Sequence, residues 1–145
     1  VPIALASDHA GLALKRHLTT LLDARGLSWT DLGTQTGDSC DYPTFAHALV
    51  AEVLSGRAPW GILVCGTGIG MSMAANRHPG IRAAVVTDPF SARATRLHND
   101  ANVLCLGERV VGTGLAEAIL EAWIDTAFEG GRHARRVAAI EPARP

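Results

Sequence analysis

The chain is 145 residues long, with 48% hydrophobic and 19% charged residues and a formal net charge of -1. That length suits one domain with a substantial core. The composition excludes a disordered chain, a polyanion binder and a membrane-embedded protein.

In chain order, strands are predicted at residues 3–7, 29–32, 61–65, 82–87 and 102–106, where β-branched and aliphatic residues cluster. Between and after them, apolar residues at helical spacing predict helices at 12–24, 45–54, 71–77, 91–97 and 115–128. The continuously apolar runs Ile62-Leu63-Val64-Cys65 and Ala83-Ala84-Val85-Val86 fit a parallel sheet covered by helices on both faces. The expectation is an α/β fold, a three-layer α/β/α sandwich on a five-stranded parallel sheet. A single domain is expected over 1–145, with 130–145 forming a basic C-terminal tail after Glu129-Gly130-Gly131 interrupts the last long helix. The start, Val1-Pro2-Ile3-Ala4-Leu5, has no basic region before it, and no apolar run approaches the roughly 18 residues of a spanning helix. A cytoplasmic protein with no membrane and no nucleic-acid partner is therefore expected. Cys40, Cys65 and Cys105 form no CxxC pair, which argues for free thiols over a disulfide framework or a structural zinc site.

Open parallel sheets bind ligands beyond the carboxyl ends of their strands. Those positions hold Asp8 and His9 after the first strand, Cys65 and a glycine turn after the third, Asp88 after the fourth, and Gly107-Glu108-Arg109 after the fifth. The turn Gly66-Thr67-Gly68-Ile69-Gly70 leads into a helix, so its backbone N–H groups can face an anion, unless the glycines serve packing alone. Cys65 directly before it favours the site reading, because a helix N-terminus favours thiolate, a base or nucleophile. Cys105, between Leu104 and Leu106, is expected in the core, and Cys40 in a polar loop is read as incidental.

Known motifs narrow the possibilities. A P-loop fails because Thr67 stands where lysine belongs, and a cysteine phosphatase fails because Met71 replaces the phosphate-binding arginine. A dinucleotide fingerprint lacks its last glycine, again at Met71, but Asp88 keeps that reading open as a rival. His98, within Leu97-His98-Asn99-Asp100 at a predicted helix C-terminus, is either an acid–base residue or a helix cap. Arg132 and Arg136 share one face if the tail is helical and would suit a phosphate dianion; otherwise they are a solvated basic tail.

Taken together, Ser7-Asp8-His9-Ala10-Gly11, Asp41-Tyr42-Pro43, Cys65-Gly66-Thr67-Gly68-Ile69-Gly70, His98-Asn99-Asp100 and Glu129-Gly130-Gly131-Arg132-His133 resemble the type B ribose-5-phosphate isomerases and their galactose-6-phosphate and allose-6-phosphate relatives. Asn76 and Arg82 also fit, and the resemblance spans essentially the whole chain. It implies a Rossmann-like aldose–ketose isomerase that needs no metal and no cofactor, and works as a homodimer or homotetramer with sites shared between subunits. By the family pattern Cys65 is the proton-transfer base with Thr67 beside it, and the backbone from Gly66 through Gly68 and Ile69 to Gly70 stabilises the enediolate. His98 opens the furanose ring, Asp8 and Asn99 hold sugar hydroxyls, and Tyr42 lines the pocket. His9, Arg109, Arg132 and Arg136 bind the phosphate. No carboxylate stands at Ser72, Met73 or Ala74, so the chain falls in the cysteine branch. The substrate expected is ribose 5-phosphate, exchanged with ribulose 5-phosphate. The alternatives are allose 6-phosphate, galactose 6-phosphate, a four-carbon sugar phosphate or, from another class, a non-catalytic nucleotide-binding module.

Overall fold

The computed structural model describes residues 1–143, so the last two residues of the predicted tail, Arg144 and Pro145, lie outside the described residues. Strands β1 (Ile3–Ser7), β2 (Trp29–Asp31), β3 (Trp60–Cys65), β4 (Ala83–Val85) and β5 (Val103–Gly107) alternate with helices. These are α1 (Leu12–Ala24), α2 (Tyr42–Leu54), α3 (Ile69–Ala75), α4 (Pro89–Asn99), α5 (Thr113–Ile124) and α6 (Arg132–Ala138). All pairings are parallel, in the order β2-β1-β3-β5-β4.

Alternation along each strand divides the core into two. Ile3, Leu5, Ile62, Val64, Leu104 and Leu106 join the cluster built with α1 and α5, while Ala4, Ala6, Leu63, Cys65, Val103 and Cys105 join the one built with α2 and α3. Helices thus cover both faces, as the apolar strands require. The three-layer α/β/α sandwich is as expected.

The element ends differ where local chemistry intervenes. Strand β4 is shorter than predicted and lies at the sheet edge, with Val85 exposed. The Asn76 amide satisfies both main-chain groups of Ala83, donating to its oxygen at 2.9 Å and accepting from its nitrogen at 2.8 Å. Helix α2 begins earlier than predicted, at Tyr42, because Asp41 is extended and Pro43 is compatible with a first helical turn. Helix α5 ends at Ile124, short of the predicted 128, where the Thr126 hydroxyl takes the Ala122 carbonyl at 2.6 Å. That carbonyl is the one a further helical residue would have bonded.

A buried cation shapes the approach to the site. The fully buried Lys15 Nζ donates to Asp31 at 2.8 Å and to the Thr34 carbonyl at 2.7 Å, while Asp31 also accepts from the Gly33 N–H at 2.9 Å. Together these bonds hold the segment that runs from β2 towards Cys40. Removing the ammonium leaves the carboxylate unpaired, so Lys15→Met is expected to destabilise the fold by about 3 kcal/mol. Urea unfolding with an unchanged m-value checks this; a loss under 1 kcal/mol would remove Lys15 from that role.

Candidate active site

Strand β1 lies between β2 and β3, so the chain leaves β1 to one side and returns on the other. The crevice beyond that switch point is where an open parallel sheet binds ligands. Here it is a pocket of about 250 Å³ that includes Asp8, His9, Tyr42, Cys65, Thr67 and Arg109 in its lining. A carboxylate, an imidazole, a thiol and a guanidinium meet there, as the strand-end reading anticipated.

Cys65 ends β3 and is only 5% exposed. Its Sγ accepts the Gly68 N–H at 3.1 Å, a bond that a thiolate takes better than a thiol. The turn is possible because Gly68 sits in the left-handed region at φ 79°, which a side chain would strain. The Ile69 N–H goes to Thr67 Oγ1 at 3.3 Å. Two of the backbone donors expected to face a ligand, those of Gly68 and Ile69, are therefore engaged within the turn. A side chain at Gly70 would meet the Tyr42 ring at 2.7 Å, so this glycine lets the ring close the pocket wall. Arg109 lies against Gly66, with Nη1 3.2 Å from where a Cβ would be.

The first-strand residues are held by the backbone. One oxygen of the buried Asp8, Oδ1, accepts from the N–H groups of Ala10 and Gly11 at 3.0 and 3.1 Å. His9 Nδ1 accepts the Cys40 N–H at 3.2 Å. Because that donor is unambiguous, neutral His9 carries its proton on Nε2 and presents a donor there. Cys40, read as incidental, thus sets the histidine's tautomer through its main chain, and its thiol lies 3.7 Å from the same nitrogen. No side-chain signal could have revealed a backbone donor.

Two other strand-end acids serve the fold. Asp88 caps α4, with Oδ1 accepting the Ser91 N–H at 2.7 Å and Oδ2 the Ser91 hydroxyl at 2.9 Å. The backbone bond, then the hydroxyl, holds its carboxyl below the ordinary aspartate range. Both oxygens are committed, so Asp88 is not free for the ribose contact of the dinucleotide reading. Glu108 Oε1 accepts the Leu14 N–H at 2.6 Å in the first turn of α1. Cys105 is fully buried as expected, and burial, then the nearby Cys65, pushes its thiol far above the ordinary range.

A second group of predicted residues gathers elsewhere. His98, Asn99 and Arg136 line a pocket of about 260 Å³ together with His133, and none of them lines the Cys65 pocket. Asp100 ends α4 in the left-handed region at φ 46°, where Arg96 Nη1 reaches Oδ1 at 3.0 Å and Arg82 Nη2 reaches Oδ2 at 3.5 Å. These contacts fix the helix end that presents His98 and Asn99. The tail is helical at Arg132–Ala138, which places Arg132 and Arg136 one turn apart. His133, to which no role was assigned from the sequence, is buried and stacks on His98 at 4.5 Å between ring centroids. Burial, then the neighbouring His98, holds its imidazole below the ordinary histidine range.

Comparison with known proteins identifies the family. The chain is 47% identical over 138 residues to ribose-5-phosphate isomerase B of Escherichia coli (strain K12), covering 95% of this chain and 93% of that one. It is 44% identical over 139 residues to the D-erythrulose-4-phosphate isomerase of Pectobacterium atrosepticum, covering 95% and 91%. The structure of Clostridium thermocellum ribose-5-phosphate isomerase B superposes with a TM-score of 0.95 at 50% identity, over 97% of this chain and 95% of that one. The family model for ribose/galactose isomerases matches residues 3–140, and the chain belongs to that family as a sugar-phosphate isomerase.

Proposed function

We propose that this enzyme interconverts ribose 5-phosphate and ribulose 5-phosphate through an enediolate. The observation that carries the reading is the pocket in which Cys65, with an N–H on its sulfur, faces the cationic or donor groups of His9 and Arg109. Cys65 as thiolate removes the proton from C2 and returns it to C1. Thr67 Oγ1 already accepts the Ile69 N–H, so its own O–H can donate to an enediolate oxygen. A preorganised donor such as this O–H, aimed at that oxygen, is worth about 10²–10³ in rate. His98 opens the furanose ring and Asn99 holds a sugar hydroxyl, as does Asp8 through the oxygen its turn leaves over. His9 Nε2–H, Arg109, Arg132 and Arg136 take the phosphate. No step requires a metal ion or cofactor.

One chain presents the Cys65 set and the His98 set in different pockets, so the working unit is a homodimer or homotetramer whose sites combine both. Tyr42, Ile69 and Met73 support this, being 40%, 48% and 65% exposed beside the Cys65 pocket, an apolar margin that a second copy would cover. The fold acts as one domain over 1–145, its basic tail contributing through α6. Its free thiols suit the cytoplasm, and no helix among the described residues is long and apolar enough to cross a membrane.

Comparison of kcat/KM across ribose, allose and galactose phosphates and a four-carbon sugar phosphate tests the substrate. Ribose 5-phosphate is expected to lead. A higher value for the four-carbon substrate would move the assignment towards the activity named for the Pectobacterium relative. Each phosphate contact is charge-assisted and contributes about 1.5–3 kcal/mol. Arg109→Ala and Arg136→Ala are therefore each expected to lower kcat/KM by about 10- to 100-fold. Unchanged steady-state kinetics in either variant would exclude that arginine from phosphate binding.

A further inference from the structure

We propose that His98, Glu129 and His133 form a binding site for a borderline divalent transition cation of the zinc type, and that filling it inhibits the isomerase by withdrawing His98 from the sugar. The donor atoms of these three side chains lie within 4.8 Å of one another. They come from the last turn of α4, the segment before α6 and the first turn of α6. The backbone pins them together, because the Glu129 N–H donates to the Leu97 carbonyl at 3.1 Å and the His133 N–H to the Gly130 carbonyl at 3.1 Å.

An independent observation points to a ligand. His133 Nε2 is buried and has no hydrogen-bond partner among the described residues, although its side chain is only 8% exposed. The Glu129 carboxylate is 3.6 Å away, too far to be its acceptor or donor partner yet on the same side. A buried imidazole nitrogen without a partner is costly, and a bound cation would relieve it.

The chemistry of the set selects the ion. Two imidazoles and one carboxylate suit zinc and its neighbours, and leave a fourth position open, whereas magnesium prefers oxygen ligands. Zinc bonds of about 2.0–2.2 Å require the donors to approach one another. The rings of His98 and His133 are stacked, 23° from parallel, so their in-plane lone pairs do not yet converge. His98 and Glu129 are exposed and can turn, while His133 stays fixed as the anchor. Once ligated, His98 cannot carry a proton for ring opening; this inhibitory part rests on the role assigned to His98 above.

The test is calorimetric titration of the full chain with zinc and, separately, magnesium, followed by isomerase assays at the same zinc concentrations. Wild type is expected to bind zinc and not magnesium at this site. Glu129→Gln, at an exposed position that leaves basal activity intact, is expected to weaken zinc binding by at least about 10-fold and to raise the inhibitory zinc concentration by the same factor. His133→Gln provides a second variant, with circular dichroism to confirm its fold. Zinc affinity equal in wild type and Glu129→Gln would overturn the site. Zinc inhibition that survives Glu129→Gln unchanged would place the metal on a thiol such as Cys65 and overturn the inhibitory role. Glu129-dependent zinc binding in a protein inactive on every sugar phosphate would uphold the site and reject the functional reading instead.

Discussion

Replacing Cys65 with alanine is expected to lower kcat for ribose 5-phosphate isomerisation by about 10²–10⁴-fold, the range a positioned acid–base group contributes. The loss should fall on kcat and kcat/KM together, since the proposed thiolate base acts on a proton that moves only in the transition state, while the groups assigned to the phosphate, His9 and the arginines, are untouched. Cys65 packs against the α2 and α3 side of the sheet, and alanine there removes only the sulfur. Circular dichroism and thermal unfolding should therefore show an intact fold. The decisive readout is isotopic. In deuterated water the wild type is expected to wash solvent deuterium into C2 of ribose 5-phosphate, and Cys65→Ala to lose that exchange. Retained exchange in the variant would place the base elsewhere. Cys65→Ser offers a hydroxyl of similar shape that is a far weaker acid, and it is expected to behave like the alanine variant.

The sheet was readable because burial on both faces leaves runs such as Ile62-Leu63-Val64 with no polar interruption, and because the glycine turn after Cys65 marks where β3 ends. Strand order was not, since β3 and β5 pair through contacts between residues far apart in sequence. The chemistry beyond the strand ends was recognisable by residue type, but type alone does not separate ligands from fold supports. Asp8 and Asp88 follow two different strands; Asp88 spends both oxygens on its own helix, while Asp8 keeps one. The tautomer of His9 depends on a main-chain donor from Cys40, and His133 becomes notable only once α6 folds back against α4. Both facts arise from tertiary placement, which leaves no local pattern.

The second expected result tests whether two pockets with no shared lining combine into one site across the proposed oligomer. If Cys65 of one copy works with His98 of another, two inactive variants should repair each other. Cys65→Ala and His98→Asn are each expected to be nearly inactive alone, because every site in either homo-oligomer lacks one group. A hybrid dimer of the two chains contains one site missing both groups and one site with both intact, a consequence of two-fold symmetry. Purified hybrids, isolated with two different affinity tags, are expected to show about half the wild-type kcat, and an equal random mixture about one quarter. The KM of the surviving site should match that of the wild type, because its arginines are untouched. Were each site confined to one chain, every hybrid would stay as inactive as its parents, so the measurement separates the two arrangements by about 10²-fold or more. Repeating the cross with Arg109→Ala against Arg136→Ala extends the logic to the phosphate. Recovery in that pair would mean that the α6 arginine and Arg109 reach the same phosphate from opposite subunits, and that the helical tail serves its neighbour's thiol.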